Sequence, residues 1–147
     1  MIVLRPARST DSGSVGAILS EFTRTTDWMP HLHTQAQDIA HAGRLIDRGW
    51  VTVAVHDNMV VGFAACDGAD LDALFVAAFM RGQGVGTALL DHLRDNADRL
   101  ELWTFQANEA AQKFYIKHGF QEVTRTDGRR NDEQLPDIQF EWKREDA

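Results

Sequence analysis

The sequence predicts a mixed α/β fold, a single sheet of about seven strands with about four helices on its faces. Three observations carry that expectation. Apolar residues switch repeatedly along the chain between a spacing of two and a spacing of three to four. The resulting elements follow the order strand, two helices, three strands, helix, strand, helix, two strands, an interleaving that requires a mixed sheet. Finally, 147 residues, 44% of them apolar and 25% charged, suffice to bury the core of one domain spanning 1–147, and no repeat or low-complexity segment points to another.

Each element has a local reason. Ile2, Val3 and Leu4 begin a first strand over Met1–Ala7, stopped near Pro6. Asp11 is placed to cap a helix reaching about Phe22, with Val15, Ile18, Leu19 and Phe22 on one side. The turn-like TRTTDWMPHLHT leads to Thr34, which caps a second helix to about Arg48 that carries Ile39, Leu45 and Ile46 and ends before Gly49. WVTVAVHDNMVVGFAAC reads as two β-branched strands around a turn at Asp57-Asn58, a hairpin. LDALFVAAF is a further strand feeding into a glycine-rich loop. From Gly84 to Arg99, the recurrence of Val85, Ala88, Leu89 and Leu93 marks a helix burying one face. LELWTF, 100–105, is the next strand. Asn108 precedes a helix over Ala110–His118 that ends at Gly119, a good left-handed cap. FQEVTR and PDIQFEWK close the chain as strands separated by the polar loop TDGRRNDEQL.

Composition narrows the function classes. A formal net charge of −7 argues against nucleic acid and anionic membrane as partners, because an acidic surface repels phosphate, and it suits a cationic or amine partner. The longest apolar stretches are strand-sized or broken by polar residues, and MIVLRPARST lacks the apolar core and cleavage site of a secretory signal, so a soluble cytoplasmic protein is expected. The one cysteine, Cys66, leaves no intramolecular disulfide and no pair to begin a zinc site, and its apolar neighbours make it a small strand residue. His31 and His33 stand one residue apart without other ligands at supporting spacing, so no metal is expected.

The segment RGQGVGTALL, Arg81–Leu90, sets three glycines at alternate positions between a strand and a helix. Free N–H groups and the helix dipole make that junction a phosphate site, and glycines let phosphate oxygens reach the main chain. An ATP-type loop is excluded because Thr87 is not preceded by lysine. A dinucleotide site is excluded because the spacing is G-x-G-x-G and no acidic residue ends the next strand, Glu101 lying at its beginning. A plain tight turn explains one glycine well and three poorly.

VAAFMRGQGVGTALL, followed after one strand by NEAAQKFYIKHGF, resembles the two signature motifs of the GCN5-related N-acetyltransferase (GNAT) superfamily. Arg81, Gly84 and Gly86, or the overlapping Gly82-Gln83-Gly84, match the first; Asn108, Ala111, Phe114, Tyr115, Gly119 and Phe120 match the second. The resemblance covers most of the chain, since the element order is also that of the family. It implies a mostly antiparallel sheet splayed at its centre, and acetyl-CoA as co-substrate without a metal. It implies that Arg81, Gly82, Gln83, Gly84, Val85, Gly86 and Thr87 cradle the coenzyme's pyrophosphate through main-chain N–H groups. The strand 71–76 bulges and parts from 100–105 in such proteins, so that Leu74, Phe75 and Val76 offer main-chain partners to the pantetheine arm and a donor to the thioester carbonyl. Asn108 bonds the coenzyme, caps its helix, or both; Ala111 and Phe114 lie along the same motif, with Phe114 and Phe120 also read as core.

Tyr115, the only tyrosine, is implied to aim its hydroxyl at the coenzyme sulfur. A phenol near pKa 10 against a thiol near about 8.5 makes full proton transfer mildly uphill, so hydrogen-bond stabilisation of the leaving thiolate is the expected role. An isolated tyrosine would instead pack its ring and keep its hydroxyl wet. The attacking amine must lose a proton, because an ammonium has no lone pair. Asp72 and His33 are candidate bases; Asp72 reads equally as a solvated carboxylate at a strand end, and Asp70 stands beside it. Trp28, His31 and His33 lie in the region that walls the acceptor pocket in this superfamily, whereas His41, His56, His92 and His118 read as surface or helix-face residues. Asp132, Glu133 and Asp137 lie in the loop that often covers the acceptor and could attract an ammonium, a solvated acidic loop being the plainer reading.

The expected function is therefore acetyl transfer from acetyl-CoA to a primary amine of a small molecule or peptide, by direct attack in a ternary complex, since the motifs hold no cysteine to take an acyl group. The alternative is a catalytically silent coenzyme A binding regulatory module. A homodimer through the exposed last strands is compatible with the pattern and not established by it.

Overall fold

The computed structural model describes residues 1–145. Strand β1 (Val3–Pro6) is followed by helices α1 (Ser12–Thr25) and α2 (Gln35–Asp47), then by β2 (Val51–His56), β3 (Met59–Asp67), β4 (Asp70–Val76), α3 (Val85–Asp95), β5 (Arg99–Phe105), α4 (Glu109–Lys117), β6 (Gln121–Thr126) and β7 (Asp137–Lys143). Seven strands form one sheet in the order β1-β2-β3-β4-β5-β7-β6. Neighbours are antiparallel except β4 and β5. The expected element order and the mixed, mostly antiparallel sheet are what the chain adopts.

Local chemistry sets most boundaries. The turn between β2 and β3 holds Asp57 and Asn58 at φ of 51° and 63°, the pair of left-handed residues a tight hairpin needs. Thr34 caps α2 reciprocally: its hydroxyl accepts from the Gln37 amide at 3.1 Å while Gln37 Oε1 accepts from the Thr34 amide at 2.8 Å. Asn108 Oδ1 accepts from the Ala111 amide at 3.1 Å and so caps α4. Asp11 departs from expectation. It stands at the entrance of α1 but makes no capping bond into it; instead its carboxylate accepts from the Arg8 amide at 2.7 Å and from both Arg5 guanidinium nitrogens at 2.8 and 3.1 Å. The helix is positioned by an ion pair to β1 rather than by a cap. Two further ends differ: α1 continues past Phe22 to Thr25, and α3 stops at Asp95 because Arg99 already belongs to β5.

Two apolar clusters sandwich the sheet. One joins Val15 and Ile18 of α1 and Leu45 of α2 to Val53 and Phe63, and the other joins Leu89 and Leu90 of α3 and Tyr115 of α4 to Leu100, Leu102, Ile138 and Phe140. The two N-terminal helices touch closely, since a Cβ on Gly16 would lie 2.6 Å from Ile39 Cα.

Two irregularities open the centre of the sheet. Ala65 pairs with Ala73 but Cys66 pairs with Leu71, so Asp72 is an extra residue in β4. That bulge inverts the side-chain alternation: Leu71, Leu74 and Val76 join the cluster under α3, while Ala73 and Phe75 join the cluster under α1 and α2. The parallel strands β4 and β5 share a single pairing, Asp70 with Glu101. Beyond it β4 is held only by β3 and β5 only by β7, and the two part.

Candidate active site

The gap between the parted strands is a cavity of about 370 Å³, lined by Leu71–Phe75 of β4, Leu102–Phe105 of β5, and Asn108, Ala111 and Tyr115 around α4. Its apex is charged. Arg99 bonds Glu101 and, at 2.6 Å, Glu141, while the hydrogen bond to Asp70 raises the Glu101 carboxyl above its ordinary value, with burial adding and Arg99 opposing.

Past β4, a short turn over Ala78–Met80 leads into the glycine loop. The N–H groups of Arg81 and Gln83 are already used, each donating at 3.3 Å to Ala78 and Met80 carbonyls. Those of Gly82, Gly84, Val85, Gly86 and Thr87 have no main-chain partner among the described residues, as the first turn of a helix dictates for the last three. Gly82 and Gly84 have φ of +79° and +84° with open space where a Cβ would stand, whereas a Cβ on Gly86 would meet the Phe114 ring at 3.4 Å. The first two glycines thus serve backbone conformation, while a methyl on the third would come into van der Waals contact with Phe114 of α4. Val85 places its side chain in the core at 1% exposure, leaving its amide alone toward the loop. The Thr87 hydroxyl sits 3.3 Å from His118 Nε2, and burial, reinforced by Arg94, holds that imidazole below its ordinary pKa.

Tyr115 is buried, its ring packed on Phe114 and Phe120 at centroid distances of 5.2 and 5.3 Å. It lines the cleft. No sealed side-chain oxygen among the described residues lacks a partner, and no protein group bonds this hydroxyl, so it opens into the cavity. Burial raises the phenol far above its usual range. The group therefore stays protonated at neutral pH and acts as a donor.

A second, larger cavity of about 790 Å³ adjoins the first, walled by α1, the α1–α2 connection, α2, β4 and the β6–β7 loop. Asp72, His33, Asp132 and Glu133 line it. Asp72, Glu133, Phe22, Met29 and Phe75 line both cavities and mark where they meet. The bulge is what delivers Asp72 there. Trp28 lines neither; it is wedged edge-on between Phe22 and Phe105, at 6.1 and 5.7 Å, as a strut between α1 and β5. His31 is exposed and also outside both cavities. The sequence reading missed Phe22, Met29, Gln37, Asp38, His41 and Arg44 as wall residues. Gln37, His41 and Arg44 share one helical face at spacings of four and three, a polar stripe that was legible once the opposite face of α2 was known to be core. Asn131, also missed, holds the β6–β7 loop by donating to the Leu135 carbonyl at 2.8 Å and to Asp137 at 3.2 Å.

Among the described residues no group of three or more histidine, cysteine, aspartate or glutamate side chains is placed to hold a metal ion. Cys66 is half-buried and its thiol is pushed up to about 11, chiefly by burial and then by Asp70 and Asp67. No helix among the described residues is long and apolar enough to cross a membrane.

Residues 47–122 match the family model for the acetyltransferase (GNAT) domain. Over 78 residues, 53% of this chain and 52% of the relative, the sequence is 38% identical to the peptidyl-lysine N-acetyltransferase YjaB of Escherichia coli strain K12. The Salmonella typhimurium protein of the same name is 37% identical over 78 residues, and the chain spans about half the length of these curated relatives, 52% and 53%. The solution structure of apo YjaB from Escherichia coli superposes with a TM-score of 0.81 at 25% identity, covering 99% of each chain. The structure of yncA from Salmonella typhimurium with its cofactor acetyl-CoA shares the fold, with a TM-score of 0.76 at 16% identity over 100% of this chain and 96% of that one.

Proposed function

Because the chain belongs to the GNAT acetyltransferase family, we propose that it transfers acetyl from acetyl-CoA to a primary amine by direct attack within a ternary complex, residues 1–147 acting as one catalytic domain. The observation that carries this reading is the meeting of two cavities at Asp72, Glu133, Phe22, Met29 and Phe75, so that a donor in the strand gap and an acceptor in the wider cavity come face to face. The name of the curated relatives, peptidyl-lysine N-acetyltransferase, is consistent with a lysine-type amine.

The residues fit the coenzyme. Five loop amides without main-chain partners, at Gly82 and from Gly84 to Thr87, suit a diphosphate at a helix entrance. The free edge of β4 along Leu74, Phe75 and Val76 suits the amide-bearing pantetheine arm. When bound there, acetyl-CoA supplies an acyl group activated as a thioester. Tyr115 donates a hydrogen bond toward the departing sulfur, and its raised pKa makes full proton transfer unfavourable, so the phenol stabilises the thiolate without ionising. A main-chain N–H of β4 stabilises charge on the carbonyl oxygen. Asp72, exposed at the bulge, accepts the amine proton; His33 is the second candidate for that role. Glu133 and Asp132 hold the incoming ammonium, while Trp28 supports the wall.

An acetyl-CoA consumption screen across amine classes, followed by pH–rate profiles of Asp72→Asn and His33→Gln, tests the reading. The expected result is turnover with at least one amine class and a loss of about a hundredfold for Asp72→Asn with a changed profile. Tight acetyl-CoA binding without turnover on any amine would replace the enzyme by a coenzyme-binding regulatory module.

A further inference from the structure

We infer that the acceptor carries a carboxylate at a distance from its reacting nitrogen, and that Arg44 with His41 on α2 binds it; this rests on the acetyl-transfer reading of the same site. The wider cavity has two chemically different ends. The end shared with the strand gap presents Asp72 and Glu133, with Asp132 adjoining. The α2 wall presents Gln37, Asp38, Ala40, His41 and Arg44, none of which lines the strand gap.

Arg44, exposed on α2, is the one arginine or lysine among the described residues that line this cavity. A guanidinium with a carboxylate in reach normally pairs with it, often in bidentate geometry. Four acidic residues, Asp38, Asp72, Asp132 and Glu133, line the same cavity, yet Arg44 forms no ion pair among the described residues. Asp38, the one carboxylate on the α2 side, accepts instead from Ser20 Oγ at 2.6 Å. The cavity thus has Asp72 and Glu133 where it meets the strand gap, and on the α2 wall an unpaired cation beside an Asp38 already engaged by Ser20.

A ligand with an ammonium at one end and an anion at the other matches both ends. A diamine or polyamine matches only one, and its second charge meets Arg44. Apolar Leu19, Leu32 and Pro30 also line this cavity and suit an aliphatic spacer. The carboxylate is that of a free amino acid or of an acidic residue beside a peptidyl lysine, and matched acceptor pairs separate these two sources.

The experiment measures KM and kcat for Nα-acetyl-lysine against its N-methylamide, for blocked Lys-Asp against blocked Lys-Asn, and for cadaverine. The carboxylate member of at least one pair is expected to show a KM about tenfold lower than its neutral partner, the size of one exposed charge-assisted contact. Arg44→Gln brings that ratio toward one, through KM rather than kcat, and Arg44→Lys recovers part of it. Equal KM values in both pairs, a preference for cadaverine, or a ratio that survives Arg44→Gln overturns the inference. Failure to acetylate every amine tested overturns the transfer reading beneath it.

Discussion

The strand gap and the wider cavity, which we propose as donor and acceptor sites, share five wall residues, yet they are made of different material. The gap is a main-chain device: two strands released after one pairing, a bulge, and a run of helix-entrance amides with open space above Gly82 and Gly84. The acceptor cavity is a side-chain device assembled from α1, α2, β4 and the β6–β7 loop. Main-chain recognition constrains sequence tightly, because only glycine tolerates the required φ at low cost. Side-chain walls constrain it loosely. One region can therefore be common to many proteins while the other sets what each of them acts on.

Tyr115→Phe should give the largest effect and tests whether chemistry can be separated from donor binding. Loss of the donor hydroxyl is expected to lower kcat by about 10²–10³-fold, with acetyl-CoA affinity unchanged by calorimetric titration because the ring still packs on Phe114 and Phe120. A parallel fall in affinity would show that the hydroxyl belongs to the binding device instead.

Gly16→Ala strikes the acceptor scaffold alone. The added methyl would sit 2.6 Å from Ile39 Cα, a main-chain atom that cannot rotate away, so the two helices must part. Overpacking of this kind costs about 2 kcal/mol, read in urea unfolding. A raised acceptor KM with intact acetyl-CoA binding is expected, since neither helix contributes to the glycine loop. If coenzyme binding falls equally, the two devices are mechanically coupled, and the hydrogen bond from the Ala78 amide to Glu21 of α1 at 2.8 Å is the connection to examine.

Gly84→Ala strikes the donor side in turn. At φ of +84° with nothing within 4 Å of the new methyl, the cost is conformational rather than steric, about 1–2 kcal/mol. Acetyl-CoA affinity measured by titration should weaken by about tenfold while acceptor KM holds. An unchanged affinity would mean that the loop amides do not grip the diphosphate.

The same contrast explains what the sequence could reveal. Element order, the hairpin at Asp57-Asn58 and the cap at Thr34 were legible because each rests on local backbone chemistry. So was the glycine loop as a run of helix-entrance amides free of main-chain partners among the described residues. Gly86 was read as a phosphate contact; that it also faces the Phe114 ring could not be read, because it is a proximity between residues distant in sequence. Trp28 was expected in the pocket because its segment walls the acceptor site in the superfamily; its place between Phe22 and Phe105 is set by contacts between residues distant in sequence. His41 read as a surface or helix-face residue, and only the tertiary assembly of α2 with the β6–β7 loop brings it and Arg44 into one cavity wall. Asp11 misled for the opposite reason: its local signal is a good cap, and a tertiary ion pair outweighed it.

That ion pair supports the smallest effect, and one confined to the acceptor scaffold. Asp11 and Arg5 side chains are 10% and 27% exposed, and the Arg5 hydrogen bond, opposed by burial, holds the Asp11 carboxyl below its ordinary value. A carboxyl depressed in the folded state stabilises fully above its unfolded pKa of about 3.9 and loses that contribution as pH falls through the folded value. Urea unfolding at a series of pH values should therefore show a decline below about pH 4 that is shallower in Asp11→Asn. The variant keeps an acceptor for the Arg8 amide and should be less stable at pH 7 by about 1 kcal/mol. Glu122 and Glu141, lowered likewise by Arg125 and Arg99, titrate in both proteins, so the difference between the two curves isolates Asp11. Identical slopes would mean that β1 is tied to α1 by packing alone. A change in acetyl-CoA affinity above pH 5 would mean that strain in the acceptor scaffold reaches the donor loop, and the division between main-chain and side-chain devices would then not be an energetic one.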